Sequence, residues 1–355
     1  MVRESHTRSN RHSQPSLRSP KKISPMCENN YHPNDSRLEK KEFAPGKESY
    51  FVDGKRVTYR VTEIANIFWP FDRQYWADFI IDRVKSKNSK YIDVVNNVNL
   101  SREEKREEIY EMWTKAAKDG TDTHLLPELY MLKEKEYKGM FAMGMLKKMQ
   151  KIVNALPRKK DHFNVFRFQK SFEQFLTFHN EMVRDGWLPF KPEWKIWLKI
   201  PTDDGKEVSF GGTIDDSRIK LTGKNTGILY LGDWKHMPTI RKNSRTDEFP
   251  SFVTSVTDKV YLKEFTYYVQ LNVYRHIIEA NYLDKPFYFN GKKVWIKEVR
   301  CKLVCLHEDI KQAKEFEPFD LRKDMKALFK LFKEGKVEEC KKAYKYDGRI
   351  NSRRR

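Results

Sequence analysis

Three stretches of this chain place acidic residues where an apolar strand pattern gives them no structural reason to be. In "GILYLGDWKHMP", residues 227–238, an apolar run finishes on Asp233 and Lys235 with one Trp between them. Successive strand side chains point to opposite faces, so Asp233 and Lys235 share a face with Leu229 and Leu231, and Trp234 points away. Upstream, "FGGTIDDSRI" carries Asp215 on an otherwise apolar strand, after Gly211 and Gly212, which permit close backbone approach. Alternation admits only one of Asp215 and Asp216 to a given face. In "KPEWKIWLKI", Trp194, Ile196, Leu198 and Ile200 go to one face and Glu193 to the other.

Three neighbouring strands would bring Glu193, Asp215 and Asp233 together beside Lys235. Clustered carboxylates repel, and their ionisation is costly unless a cation joins them. Oxygen-rich donors beside an ammonium suit one or two Mg2+ or Mn2+ ions rather than zinc. Such a site cleaves phosphodiesters: the metal polarises the phosphate and activates a water, while Lys235 orients that water or balances charge. Asp233 and Lys235 taken alone would read as a solvated ion pair at a strand end. The ordered set of acids points to chemistry instead.

The elements that must position these residues are a late mixed sheet and a helical first half. Strands are predicted over 192–201, 206–219 and 226–235, with turns at Asp204-Gly205 and between Gly223 and Gly227. A helix over 261–281 follows, then an Asn290-Gly291 hairpin with a longer strand, and a closing helix in "FDLRKDMKALFKLFKEG". Earlier, "YFVDGKRVTYRVT" signals a hairpin at Asp53-Gly54, and "EIANIFWPFDRQYWADFIIDRV" turns helical with an interruption at Pro70. Ser101 and Glu104 form a capping-box pattern for a helix to about Lys118, stopped by Gly120, with a second helix from Thr121. Further helices are expected over 140–156 and 169–184. The fold class is α/β (α+β mixed), a central mixed sheet flanked by helices. Trp69, Trp76, Trp113 and the Phe-rich helices are assigned to the core, and Glu128 to a helix surface.

With these motifs in order, the chain resembles the PD-(D/E)XK nuclease superfamily in its RecB-like branch, where a G-x-x-D strand precedes a D-x-K strand. Here these are "GGTIDD" and "LGDWK", with Asp215 and Asp233 eighteen residues apart. Gln270 and Tyr274 of "YYVQLNVYRHIIE" match the branch's Q-x-x-x-Y helix, with Tyr267 on the same face. "MWTKAAKDGTDTHLLPE" resembles the upstream helix whose His, here His124, helps ligate metal. "YFVDGKRVTYRVTEI" is similar to the N-terminal segment of phage, large-virus and mitochondrial genome maintenance exonucleases. Two positions depart from the pattern: His236 follows the motif Lys where Thr or Ser is usual, and Arg60 stands for a Ser.

The resemblance covers residues 50–306 and implies a restriction-endonuclease-like fold. It implies catalysis by Glu193, Asp215, Asp233 and Lys235, and metal ligation by His124, Glu193, Asp215, Asp233 and the Trp234 backbone carbonyl. Nucleic-acid contacts fall to Gln270, Tyr274 and Tyr267. The implied activity is a deoxyribonuclease, exonucleolytic in its nearest-looking relatives, serving replication, recombination or repair. The alternatives are an inactive nuclease-fold module that only binds nucleic acid, or an RNA endonuclease of the same fold. Some related nucleases hold an iron–sulfur cluster on one early and three late cysteines. Cys27, Cys301, Cys305 and Cys340 match that count, but Cys301 and Cys305 lie in a strand-like alternation, so no cluster is expected.

Composition fits a nucleic-acid partner. Lys and Arg exceed Asp and Glu by +20 over 355 residues, an excess that engages phosphates. The expected partner is DNA through its phosphate backbone, with RNA as the alternative and no membrane. The scattered cysteines and the absence of a long apolar window predict a soluble intracellular protein, in nucleus, cytoplasm or a virus-infected cell in preference to a mitochondrion. Residues 1–47 are expected to form a disordered basic tail, 48–160 the helical N-terminal part of the nuclease domain, 161–335 the catalytic core, and 336–355 a basic C-terminal tail. The segment 236–259, of mixed charge, is expected as a long loop beside the site.

Overall fold

Alternating apolar residues and the turn residues between them build the sheet that carries the acids. The computed structural model describes residues 30–44, 47–68, 71–155, 163–240 and 263–337. Its first part is a small antiparallel sheet of β1 (Leu38–Ala44), β2 (Lys47–Val52) and β3 (Lys55–Arg56), followed by β4 (Tyr59–Arg60). Helices α1 (Val61–Phe68), α2 (Arg73–Arg83), α3 (Ile92–Asn96), α4 (Arg102–Tyr137), α5 (Ala142–Asn154) and α6 (Gln169–Arg184) come next. Then follow β5 (Leu188–Pro201), β6 (Glu207–Leu221), β7 (Thr226–Lys235), α7 (Lys263–Asn281), β8 (Phe287–Phe289), β9 (Lys292–Cys305), β10 (Lys314–Phe316) and α8 (Arg322–Lys333).

The protein is thus a mixed α/β fold with a helical N-terminal half. The seven-stranded sheet runs β10-β9-β7-β6-β4, with β5 also paired to β6 and β8 to β9. β5, β6 and β7 are antiparallel neighbours, whereas β7 runs parallel to β9 and β4 parallel to β6. Both faces are covered, which a strand buried on two sides requires. Leu229 and Leu231 of β7 enter one core with α1, α7 and α8, while Tyr230 and Trp234 enter the other with α4, α5 and α6. The alternation expected along β7 therefore holds. Because Trp234, Val304 and Leu306 share a core with the helices before them, the helical half and the sheet form one packed body.

Local signals set several elements as expected. Asp53-Gly54 and Asn290-Gly291 adopt the paired left-handed dihedrals of tight hairpin turns. Ser101 and Glu104 close a reciprocal capping box on α4. Three expectations are corrected. Gly120 does not end a helix; α4 runs through it and departs from helical dihedrals only at Lys133. An interior glycine costs only about 1 kcal/mol, and the turns beyond it bury Leu126, Leu129 and Tyr130.

The second correction concerns the tail. Residues 30–44 are ordered: β1 pairs with β2, and Tyr31 bridges to and stacks on Tyr288, ring centroids 4.4 Å apart. Hydrophobic content predicts disorder here because the anchors are polar. Buried Asn30 donates to the carbonyls of Pro189 and Phe190, Trp197 donates its indole N–H to the Asn34 carbonyl, and Asp35 accepts from Trp194 and Lys191. Third, Trp76 and Trp113 are half-buried. Trp113 packs with Phe71 and Tyr110, and Trp76 with Tyr75 and Phe79. Trp69, residues 1–29 and 338–355, Cys27 and Cys340, and the segment 241–262 lie outside the described residues. Among the described residues, no helix is long and apolar enough to cross a membrane.

Candidate active site

Strand register decides which acids meet. The β6–β7 ladder ends at the pair Asp216–Gly232, so the next residues, Asp215 and Asp233, stand across from each other where the two strands part. Beyond that point β6 pairs with β4 instead, through Phe210 and Gly211. The Trp234 N–H, released from the ladder, donates to Asp215 Oδ2 at 2.9 Å. A parted strand end thus supplies a backbone donor to one acid. On the other side of β6, Pro192 pairs with Asp216 and Trp194 with Ile214, which sets Glu193 across from Asp215. Glu193 has φ +49°, a left-handed conformation that a non-glycine residue adopts at a cost of roughly 1–2 kcal/mol. Such strain collects at functional sites.

The three acids fall in one row across β5, β6 and β7, as the sequence predicts. Burial pushes the Asp215 carboxyl well above the usual carboxylate range, and the charges of Asp233 and Glu193 push it further in the same direction. Lys235 makes a close ion pair with Asp233 Oδ2. Burial alone would lower the Lys235 pKa, but Asp233 and Asp215 outweigh it and hold the ammonium charged. Asp233 Oδ1 accepts from Gln270 Nε2 at 3.1 Å, and the Lys235 ammonium sits 4.4 Å over the Tyr267 ring.

His124 of α4 reaches the same place. Its Nδ1 lies 3.4 Å from Asp215 Oδ2, beside the Trp234 backbone. Burial, followed by the Lys235 charge, lowers its pKa to about 4, so the ring is neutral at physiological pH with a lone pair to offer. These residues fit a hard divalent cation: carboxylate oxygens, one neutral imidazole and a nearby carbonyl, with a buried carboxyl that a positive charge would relieve. Asp233 Oδ2, buried, meets the ammonium but accepts no well-directed hydrogen bond. Among the described residues, no three of the side chains His124, Glu193, Asp215 and Asp233 offer ligand atoms all within 4.8 Å of one another, whereas His236, His307 and Glu308 do.

Gln270 and Tyr274 lie on the face of α7 that looks at the acids, and Gln270 Nε2 also donates to the Tyr274 hydroxyl at 3.2 Å. Tyr274 is only 2% exposed, which corrects its expected role as a nucleic-acid contact. Its hydroxyl is held above the ordinary tyrosine range by burial and by Asp233 and Asp215, so it stays protonated and supports Gln270 and Asp233 from below. Asp216 takes no part. It points to the opposite face, where it makes a 2.7 Å ion pair with fully buried Arg218, which also meets His179. Glu128 is half-buried, not a surface acid. Two contributors went unread in the sequence: the Trp234 N–H, and the Tyr50 hydroxyl bonded to Thr213 at 2.8 Å. The first becomes legible once Asp215 and Asp233 are set opposite each other, because the ladder must end there.

No protein-family model matches this chain, and no curated protein matches it. A solved structure titled "Crystal structure of SSO0001" is similar over 59% of this chain and 73% of that one, at 14% identity and a TM-score of 0.23. A likeness at that level carries no argument about fold or activity.

Proposed function

We propose that this protein is a divalent-metal-dependent deoxyribonuclease that hydrolyses phosphodiester bonds from DNA ends. The observation that carries the reading is the opposed pair Asp215 and Asp233 at the parted end of β6 and β7, with Lys235 on one strand and Glu193 across the other. A surface that only bound a polyanion would gain nothing from acids aimed at it. Action from ends rests on the resemblance to exonucleases drawn from the sequence motifs.

Glu193, Asp215, Asp233, His124 and the Trp234 carbonyl would hold the cation. When bound, Mg2+ or Mn2+ supplies Lewis acidity at the phosphate and a water of lowered pKa. Lys235, kept charged by its acidic neighbours, offsets negative charge developing on the phosphoryl oxygens and can direct the attacking water. Gln270 fixes one Asp233 oxygen and leaves the other turned to the ammonium and the site. The excess of +20 draws the substrate in, a pull that salt weakens.

The test incubates the full chain with end-labelled linear DNA and with circular DNA, in Mg2+ or in EDTA, beside Asp233→Ala. The expected result is Mg2+-dependent loss of the linear substrate that disappears in the variant. Undiminished degradation by Asp233→Ala would overturn the site. Circles cut as fast as linear DNA would overturn action from ends.

A further inference from the structure

We infer that His236, His307 and Glu308 form a second metal site, separate from the carboxylate row, that takes one divalent transition-metal ion of the zinc class. β7 and β9 run parallel and in register to the pair Lys235–Cys305, and the Leu306 N–H continues the pairing to the Lys235 carbonyl at 3.0 Å. The residues that follow the two strands therefore emerge side by side. His236 Nε2 lies 3.0 Å from Glu308 Oε2, and His307 Nε2 lies 3.9 Å from the same oxygen. Zinc–ligand distances of about 2.0–2.1 Å put neighbouring ligands of a tetrahedral ion about 3.3 Å apart, a separation the two distances bracket. One ligand atom from each of the three residues falls within 4.8 Å of the others.

The donor set separates this site from the first. Two imidazoles and one carboxylate favour zinc-like ions over Mg2+, which prefers an all-oxygen octahedron. Three protein ligands, each partly exposed, leave a fourth position for water. Supporting contacts are in place around them. Ser171 donates to Glu308 Oε1 at 3.1 Å, and the Gln174 side-chain oxygen accepts the His307 N–H at 3.0 Å. His307 Nδ1 accepts from the Asp309 N–H at 3.1 Å and lies 3.5 Å from the Asp309 carboxylate. Ligation through Nε2 would place the ring proton on Nδ1, so the Asp309 N–H contact must give way to a hydrogen bond donated by Nδ1–H to the Asp309 carboxylate, the usual arrangement behind a metal-bound histidine. The ion would clamp the ends of two parallel strands one residue beyond Lys235.

The experiment strips untagged full-length protein with chelator and then measures zinc by equilibrium dialysis with elemental analysis, in excess Mg2+. The wild type and Asp215→Asn should each retain one equivalent. His236→Ala and His307→Ala should lose it, with affinity down at least tenfold, and Glu308→Gln, which keeps the Ser171 contact and so spares the fold, should weaken it similarly. Zinc raising the Tm of the wild type but not of these three variants is the second readout. Retention of zinc by His236→Ala and His307→Ala, or its loss in Asp215→Asn alone, would overturn the site. Because Asp215→Asn also removes the proposed nuclease chemistry, zinc binding and DNA cleavage fail independently.

Discussion

The ring of Tyr274 occupies the space that a side chain on Gly212 would need. A Cβ at position 212 would lie 2.7 Å from Tyr274 Cε1, and 2.9 Å from a Val61 methyl. The glycine of the G-x-x-D stretch thus lets an α7 tyrosine pack directly against β6, from where Gln270 and then Asp233 are held in turn.

Gly212→Ala must displace Tyr274 or Val61. Overpacking of this kind costs about 1–3 kcal/mol. Denaturant unfolding should show that loss, and near-UV circular dichroism should change with the tyrosine environment. DNA cleavage should fall as well, because the chain of contacts to Asp233 begins at this ring. A substituted protein with unchanged stability would mean that Tyr274 does not pack where it is described.

The left-handed backbone of Glu193 separates strain from chemistry. Glycine tolerates φ +49° and alanine does not, so Glu193→Gly should be more stable than Glu193→Ala by about 1 kcal/mol. Both lose the carboxylate, and both should bind Mg2+ more weakly. Equal stabilities would show that residue 193 has relaxed to an ordinary strand conformation.

Asp233 and Lys235 form an ion pair whose side chains are 4% and 14% exposed. Removing one partner of such a pair leaves an uncompensated buried charge, typically about 3–5 kcal/mol destabilising, whereas removing both is much milder. Lys235→Met should therefore unfold at lower denaturant than the double variant Asp233→Asn/Lys235→Met. Cleavage should be absent from both, so recovery of stability without activity distinguishes the structural role of the pair from its chemical one.

Asp215 carries a pH signature of defined sign. Its folded pKa is raised above the ordinary 3.8, so the protonated folded form contributes stability that is complete below that value and lost as pH rises through the folded pKa. In EDTA, Asp215→Asn should raise the Tm at pH 7 and leave it nearly unchanged at pH 3, since the amide oxygen can still accept the Trp234 N–H. Added Mg2+ should stabilise the wild type and have little effect on the variant. Calorimetry at the two pH values reads both effects.

His32 tests the ordering of the N-terminal segment. Its Nε2 meets the Tyr282 carbonyl at 3.0 Å and its Nδ1 accepts the Asn34 N–H, so the ring has no place for a second proton. Burial lowers its pKa below 6.5. Stability from this group is present above 6.5 and lost as pH falls toward the folded pKa, with a slope of about 1.4 kcal/mol per pH unit. An NMR titration of the His32 ring should give a midpoint below 6.5. A midpoint at or above it would place residues 30–44 in solvent.

Much of the framework was legible because short-range chemistry sets it. Paired left-handed turns at Asp53-Gly54 and Asn290-Gly291, the Ser101–Glu104 box, the helix Gln169–Arg184 and the strand Thr226–Lys235 depend on a few neighbouring residues, and those residues are adjacent in the chain. The alternation of β7 likewise determined that Asp233 and Lys235 share a face opposite to Trp234. Tertiary structure decided what no short window holds. Only the packed sheet shows that the ladder ends between Asp215 and Asp233, that Tyr274 lies beneath the acids, that polar anchors order residues 30–44, and that His236 meets Glu308, 72 residues away. The physical reason is one of range: turns, caps and alternation follow from dihedral preferences within a few residues, whereas register and cross-strand contacts follow from packing summed over the whole core.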